Sequence, residues 1–76
     1  MDKQFVEGLS EILEIDPAEV VPSLPLTEEN WDSLAIVSTI ALTDEIFNVM
    51  LNGQALSKCT TVAEVLQLIE STKGKA

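Results

Sequence analysis

The sequence predicts an all-α protein, a small four-helix bundle of three main helices plus a short one, with a long loop between helices I and II. Three observations carry that expectation. Apolar residues recur at helical spacing in three separated stretches, and no stretch alternates apolar and polar residues for long enough to suggest a sheet. The prolines, Pro17, Pro22 and Pro25, all fall between the first two stretches, where they mark a connection. A chain of 76 residues makes one domain, 1–76, in a size range where only about 60% of the unfolded surface can be buried.

Helix I is expected from about Asp2 to Ile15. Phe5, Leu9, Ile12 and Leu13 fall at i, i+4, i+7 and i+8, with Glu7, Glu11 and Glu14 between them. Asp2 serves as its cap, and Asp16-Pro17 ends it, because a residue before proline is pushed out of the helical region. From Asp16 to Trp31 no apolar period persists. Pro17-Ala18-Glu19-Val20 suits a short helical turn, since proline is tolerated at a first helical position. So long a loop in so small a domain is expected to close the core with Val20, Val21, Leu24 and Leu26, or to serve a site.

Helix II starts at Asp32 or Ser33 and runs to about Val49. Leu34, Val37, Ile40, Ala41 and Phe47 mark one face, while Ala35, Ile36, Leu42, Ile46 and Met50 widen the apolar surface beyond a single stripe. A helix this apolar is either central or has a second surface to meet. Asn52-Gly53 reads as its stop signal. After a short polar stretch with Gln54, Ser57 and Lys58, Thr60 or Thr61 caps a last helix in which Val62, Val65, Leu66 and Ile69 repeat to about Ser71, leaving 72–76 as a frayed tail. The expected core includes Phe5, Leu9, Ile12, Leu34, Val37, Phe47, Val62, Leu66 and Ile69.

Composition narrows the functions available. Hydrophobic residues make up 46% of the chain, yet only two phenylalanines and one tryptophan are present, so the interior is aliphatic. Thirteen acids against four bases give a net charge of −9, which repels nucleic acid phosphates and anionic lipid surfaces and favours partners with basic docking patches. The lone Cys59 has no partner for an internal disulfide, and without histidine it makes no metal site; it reads as a small core residue. The longest apolar run, Leu34 to Val37, is four residues, far short of a membrane span. Met1-Asp2-Lys3-Gln4 lacks the features of a signal peptide, so a cytoplasmic protein is expected; a monomer is expected as well.

The tetrapeptide Trp31-Asp32-Ser33-Leu34 stands where the loop gives way to helix II. It places a hydroxyl at a helix N-terminus, where unpartnered N–H groups and the macrodipole favour negative charge. With no histidine, and with Lys3 and Lys58 the nearest lysines in sequence, nothing close in sequence activates Ser33 as a nucleophile. The hydroxyl reads as an attachment point for a phosphate-linked group, and no residue reads as catalytic. Trp31 either closes the loop over the helices or forms part of a surface seen by a modifying enzyme.

Helix, long loop, Asp32-Ser33-Leu34 opening a second helix, Phe47 fourteen residues after the serine, and Thr60-Thr61-Val62 opening a final helix: in this arrangement nearly the whole chain resembles the acyl carrier proteins. The resemblance implies 4′-phosphopantetheine covalently attached to Ser33 by a phosphopantetheinyl transferase, from coenzyme A and with magnesium, with Asp32 and Leu34 flanking the attachment. Asp32 then caps helix II, contributes to the metal-assisted transfer, or does both. The arm's thiol carries cargo as a thioester between acyl-loading and acyl-accepting enzymes of lipid, polyketide or other specialised acyl metabolism, and burial between helices would protect that cargo. The carrier itself is not an enzyme.

The chain also departs from that pattern. Where fatty-acid carriers hold acids along helix II, this sequence has Ala35, Ile36, Ser38, Thr39, Ile46 and Met50, and only Asp44 and Glu45 remain. Partner recognition is therefore expected to involve Ile36, Ser38, Asp44, Glu45 and Met50 through a more apolar contact. Thr43 stands where the family places a large aliphatic residue near the acyl pocket; it suits a shorter or more polar cargo, or simply bonds back to its own helix. Two alternatives stay open: an aminoacyl or peptidyl carrier loaded by an adenylating enzyme, and a helical adaptor that carries no prosthetic group.

Overall fold

The computed structural model describes residues 2–74, which form four α-helices and one 3-10 turn. Helix α1 spans Lys3–Leu13. The Asp2 carboxylate accepts the Phe5 N–H at 3.1 Å, satisfying one of the unpartnered amides of the first turn. The helix stops earlier than the proline implied, because Glu14 turns left-handed (φ 58°) and returns its N–H to the carbonyls of Glu11 and Ser10. Pro17–Glu19 form the 3-10 turn, held by a reciprocal box between Asp16 and Glu19.

Helix α2 spans Ser33–Phe47 and ends at a left-handed Asn48 (φ 57°). Asn52-Gly53, expected to stop helix II, instead starts the short α3, Gly53–Ser57: the Asn52 side chain accepts the N–H groups of Gln54 and Ala55. Among the described residues no glycine has positive φ, so the left-handed turn after α2 is made by asparagine, a residue that tolerates it. Helix α4, Val62–Gly74, runs three residues past the expected Ser71 and takes in part of the segment expected to fray; 75 and 76 lie outside the described residues. The Thr61 hydroxyl accepts the Glu64 N–H at 3.4 Å, and the Thr60 hydroxyl donates to the Glu64 carboxylate at 2.8 Å.

The core draws on every α-helix and on the loop: Phe5, Leu9 and Leu13 from α1; Val20, Leu26 and Trp31 from the loop; Ala35 from α2; Leu56 from α3; Val62, Val65 and Ile69 from α4. The loop closes the interior as its length suggested. Helices α1 and α2 pack so closely that a Cβ on Gly8 would meet the end of the Leu42 side chain, which would have to shift to make room.

The expected face of helix II is overturned. Leu34 is 73% exposed and Val37 61%, and the residues α2 buries are Ala35, Thr39 and Thr43. These fall at i, i+4 and i+8, one row along the helix. Both hydroxyls are satisfied: Thr39 donates to the Ala35 carbonyl at 2.8 Å and Thr43 to the Ile40 carbonyl at 3.0 Å, so the methyl groups pack inward without an orphaned polar atom. Phe47, Ile12 and Leu66 are half-buried at the edge of the core. The Phe47 ring lies 6.0 Å from that of Phe5 and under the Lys73 ammonium.

Two sets of hydrogen bonds hold the loop down. The N–H groups of Val62 and Ala63, which open α4, donate to the carbonyls of Leu24 and Pro22, and Leu26 N–H donates to Thr60, so the loop caps the last helix. The Trp31 indole N–H donates to the Leu56 carbonyl at 2.8 Å, fixing the loop's end against α3.

Candidate functional site

Ser33 is the first residue of α2 and is exposed. Three local features place it there. Trp31 is buried two residues earlier and ties the incoming chain to α3. The Asp32 side chain accepts the Ala35 N–H at 2.9 Å, and its carbonyl accepts the Ile36 N–H at 3.0 Å, so the first turn is fixed by its cap. Ala35 then turns inward, which leaves Ser33 and Leu34 facing solvent. The result is a hydroxyl on a rigid backbone at the positive end of a helix.

Beside this turn lies an open cleft of about 420 Å³, bounded by the end of α1, the loop and the start of α2. Glu11, Glu14, Glu29 and Asp32 line it, with Leu34 and Ser38 on the α2 side. The acids missing from the first turns of α2 are thus supplied by neighbouring elements. The bases around the site are carboxylates alone, since the chain has no histidine. Among the described residues, no three His, Cys, Asp or Glu side chains come together as a metal site.

Asp32, Ser33 and Leu34 sit together at the start of α2. Ser38 is half-buried one turn on, and Ile36 is half-buried against the core, which leaves it a poor candidate for a docking surface. Asp44 and Glu45 are exposed in the last turn of α2, and Met50, 66% exposed, lies beyond its end. The residues missed by sequence reasoning are Val37 and Ala41, which are exposed and share a face with Leu34 at i, i+3 and i+7. The row Ala35, Thr39, Thr43 is the signal that would have found them, since small residues at i, i+4 and i+8 mark the side of closest approach. Thr43 takes the second of its expected roles, bonding back to its own helix. Trp31, buried, closes the loop, and half-buried Cys59 has its thiol pushed up by burial and then by nearby Glu64.

A four-helix domain with a serine exposed at the mouth of its second helix fits a class defined by what is attached to it rather than by what it catalyses. The family model described as the phosphopantetheine attachment site matches residues 3–69, and the chain belongs to that family. It is a phosphopantetheine carrier protein, in which 4′-phosphopantetheine is covalently attached to a serine. Carrier domains of this kind work with a phosphopantetheinyl transferase and with partner enzymes. No solved structure matches the chain significantly. Among the described residues no helix is long and apolar enough to cross a membrane.

Proposed function

We propose that the prosthetic group is attached to Ser33 and that the protein is a discrete acyl carrier, itself without catalytic activity. The observation that carries this reading is the exposed Ser33 hydroxyl at the first position of α2 behind the Asp32 cap. The other serines fit less well. Ser10 is buried and donates to the Glu7 carbonyl, Ser57 donates to the Gln54 carbonyl, and Ser71 lies towards the C-terminal end of α4, where the macrodipole opposes a phosphodiester. Ser23 is exposed in the loop, outside any helix start, and Ser38 is half-buried inside α2.

When bound, the arm supplies a thiol on which cargo is held as a thioester. The residues of the chain do the rest. Asp32 holds the first turn, the amides of that turn stabilise the negative phosphodiester, and Leu34 stands beside the attachment as an apolar contact for an enzyme that must reach it. Partner recognition extends along the exposed face of α2 through Val37 and Ala41, with Asp44, Glu45 and Met50 at its far end. The face is apolar near the serine and acidic away from it, so partners should meet it with an apolar patch beside the active-site mouth and bases farther out.

Incubation with coenzyme A, magnesium and a broad-specificity phosphopantetheinyl transferase tests the assignment. One phosphopantetheine mass should appear on Ser33, and Ser33→Ala should take up none. Modification at Ser38, or at no serine, would overturn it. The enzyme that loads the holo-protein then separates acyl from aminoacyl or peptidyl cargo.

A further inference from the structure

We infer that the phosphopantetheinyl transferase docks across the groove between α1 and α2, seating basic side chains in it, and leaves the α3 side of α2 uncovered; the inference rests on attachment at Ser33. Two open clefts follow the line where α1 meets α2, one of about 420 Å³ beside the start of α2 and one of about 270 Å³ farther along it. Glu11 lines both, so they form one groove. Its floor is largely apolar, made by half-buried Ile12, Leu42 and Ile46, with Leu34 and Ala35 at the serine end. From Leu34 to Ile46 the α2 wall runs about 18 Å at 1.5 Å per residue.

The rim is acidic throughout. Glu7, Glu11 and Glu14 come from α1, Glu45 from α2, Glu29 from the loop and Asp32 from the cap of α2, and all six are exposed. Among the described residues no lysine or arginine lines either cleft. An apolar floor inside a carboxylate rim matches a long basic side chain, whose methylenes lie on the floor while its charged head reaches the rim. The opposite side of α2 differs. Ile40, two residues before Leu42 and so about 160° round the helix from it, packs towards Gly53 at the start of α3. There the exposed residues are Asn52, Gln54 and Ser57, all neutral, and then Lys58. Of the two acids at the end of α2, Glu45 lines the groove and Asp44 does not. Exposed Leu34, Val37 and Ala41 lie between the two sides and are within reach of a partner on either, so the charges on the flanks select the side.

The test uses the full-length apo carrier, with a broad-specificity phosphopantetheinyl transferase as the probe. Glu11→Gln with Glu14→Gln should lower kcat/KM for arm transfer about fivefold, chiefly through KM, with the melting temperature unchanged. Glu64→Gln with Glu70→Gln removes the same net charge from α4 and should cost less than about twofold. Glu45→Gln should cost more than Asp44→Asn. In NMR spectra of the carrier with transferase but no coenzyme A, the amide signals of Gly8, Glu11 and Leu42 should shift or broaden, while those of Gln54, Ser57 and Lys58 stay in place. Equal losses from the two glutamine pairs would reduce the effect to net charge, and a footprint on α3 with α1 unperturbed would put the enzyme on the other flank; either result overturns the inference and leaves attachment at Ser33 intact. Failure of the transferase to modify Ser33 at all would instead overturn the attachment on which it rests.

Discussion

Helices α1 and α2 pack against each other, yet they spend their apolar residues in opposite directions. In α1 the apolar row faces the core, with Phe5 and Leu9 fully buried and glutamates outside. In α2 the inward row is small and partly polar, Ala35, Thr39 and Thr43, while Leu34 and Val37 face solvent. The difference teaches that the apolar content of a helix reports how many surfaces it meets, and burial within its own chain is only one of them. The first helix answers to the fold alone. The second serves the fold and, under the proposed attachment at Ser33, the enzymes that would approach that serine.

Stability should separate the two helices most sharply. Phe5→Ala is expected to cost about 3–5 kcal/mol in urea unfolding, enough to leave so small a domain largely unfolded. Leu34→Ala and Val37→Ala should stay within about 0.5 kcal/mol of the parent. Comparable losses at Leu34 and Phe5 would mean that the outward assignment of the α2 stripe is wrong. Trp31→Phe removes the indole donor and leaves the Leu56 carbonyl without it, for an expected loss of about 1–3 kcal/mol; no loss would show that water replaces the bond.

The seam itself gives a subtler test. Gly8→Ala improves helix propensity by about 1 kcal/mol but forces Leu42 to move, at an overpacking cost of about 1–3 kcal/mol, so a net loss of about 1 kcal/mol is expected. A gain would mean that Leu42 rotates away freely and that the helices are less tightly joined. Function should respond the other way round. Val37→Asp is expected to slow transfer by the phosphopantetheinyl transferase about tenfold with the melting temperature nearly unchanged, whereas Asp44→Asn with Glu45→Gln should have the smaller effect. The reverse ranking, with a steep loss of rate as salt rises, would assign docking to the acids.

The smallest effect concerns α4. The backbone N–H of Thr60, then its hydroxyl, hold the Glu64 carboxyl below its ordinary range. A carboxylate lowered on folding contributes stability above its unfolded value that is lost as pH falls through the native one. Glu64→Gln should therefore lower stability slightly at neutral pH, leave it unchanged at acid pH below the native value, and so flatten the acid limb, the effect being small since the group is exposed. A titration curve identical to the parent's would show that the bonds are not maintained in solution.

What was legible in the sequence was mostly local. The Asp2 cap, the Pro17 turn and the Val62, Val65, Ile69 row each depend on residues within a few positions of one another, and each was found. The buried face of α2 was not, because a helix apolar all round carries no directional signal; only the partners it packs against decide which side turns inward. The end of α2 was misplaced for a related reason. Asn48 and Asn52 both suit a helix boundary, and which one turns left-handed depends on where Val49 and Leu51 must be buried. At the candidate site, the Asp32 cap and the serine at the helix start were readable, while the acids of the adjacent cleft come from α1 and the loop and were visible only in three dimensions.

The carbonyls of Pro22 and Leu24 that receive the first amides of α4 also set an order of events. Those partners are about forty residues apart, so the loop preceding Ser33 lacks these anchors, though not the Trp31–Leu56 bond, until the last helix has been synthesised. A nascent chain can wind α1 and α2 early, but the frame around the serine is finished only when its C-terminal third has emerged. Modification, if it requires that frame, waits for the complete domain, and a chain cut short after α3 keeps only the Trp31–Leu56 bond to hold the loop that leads into its serine.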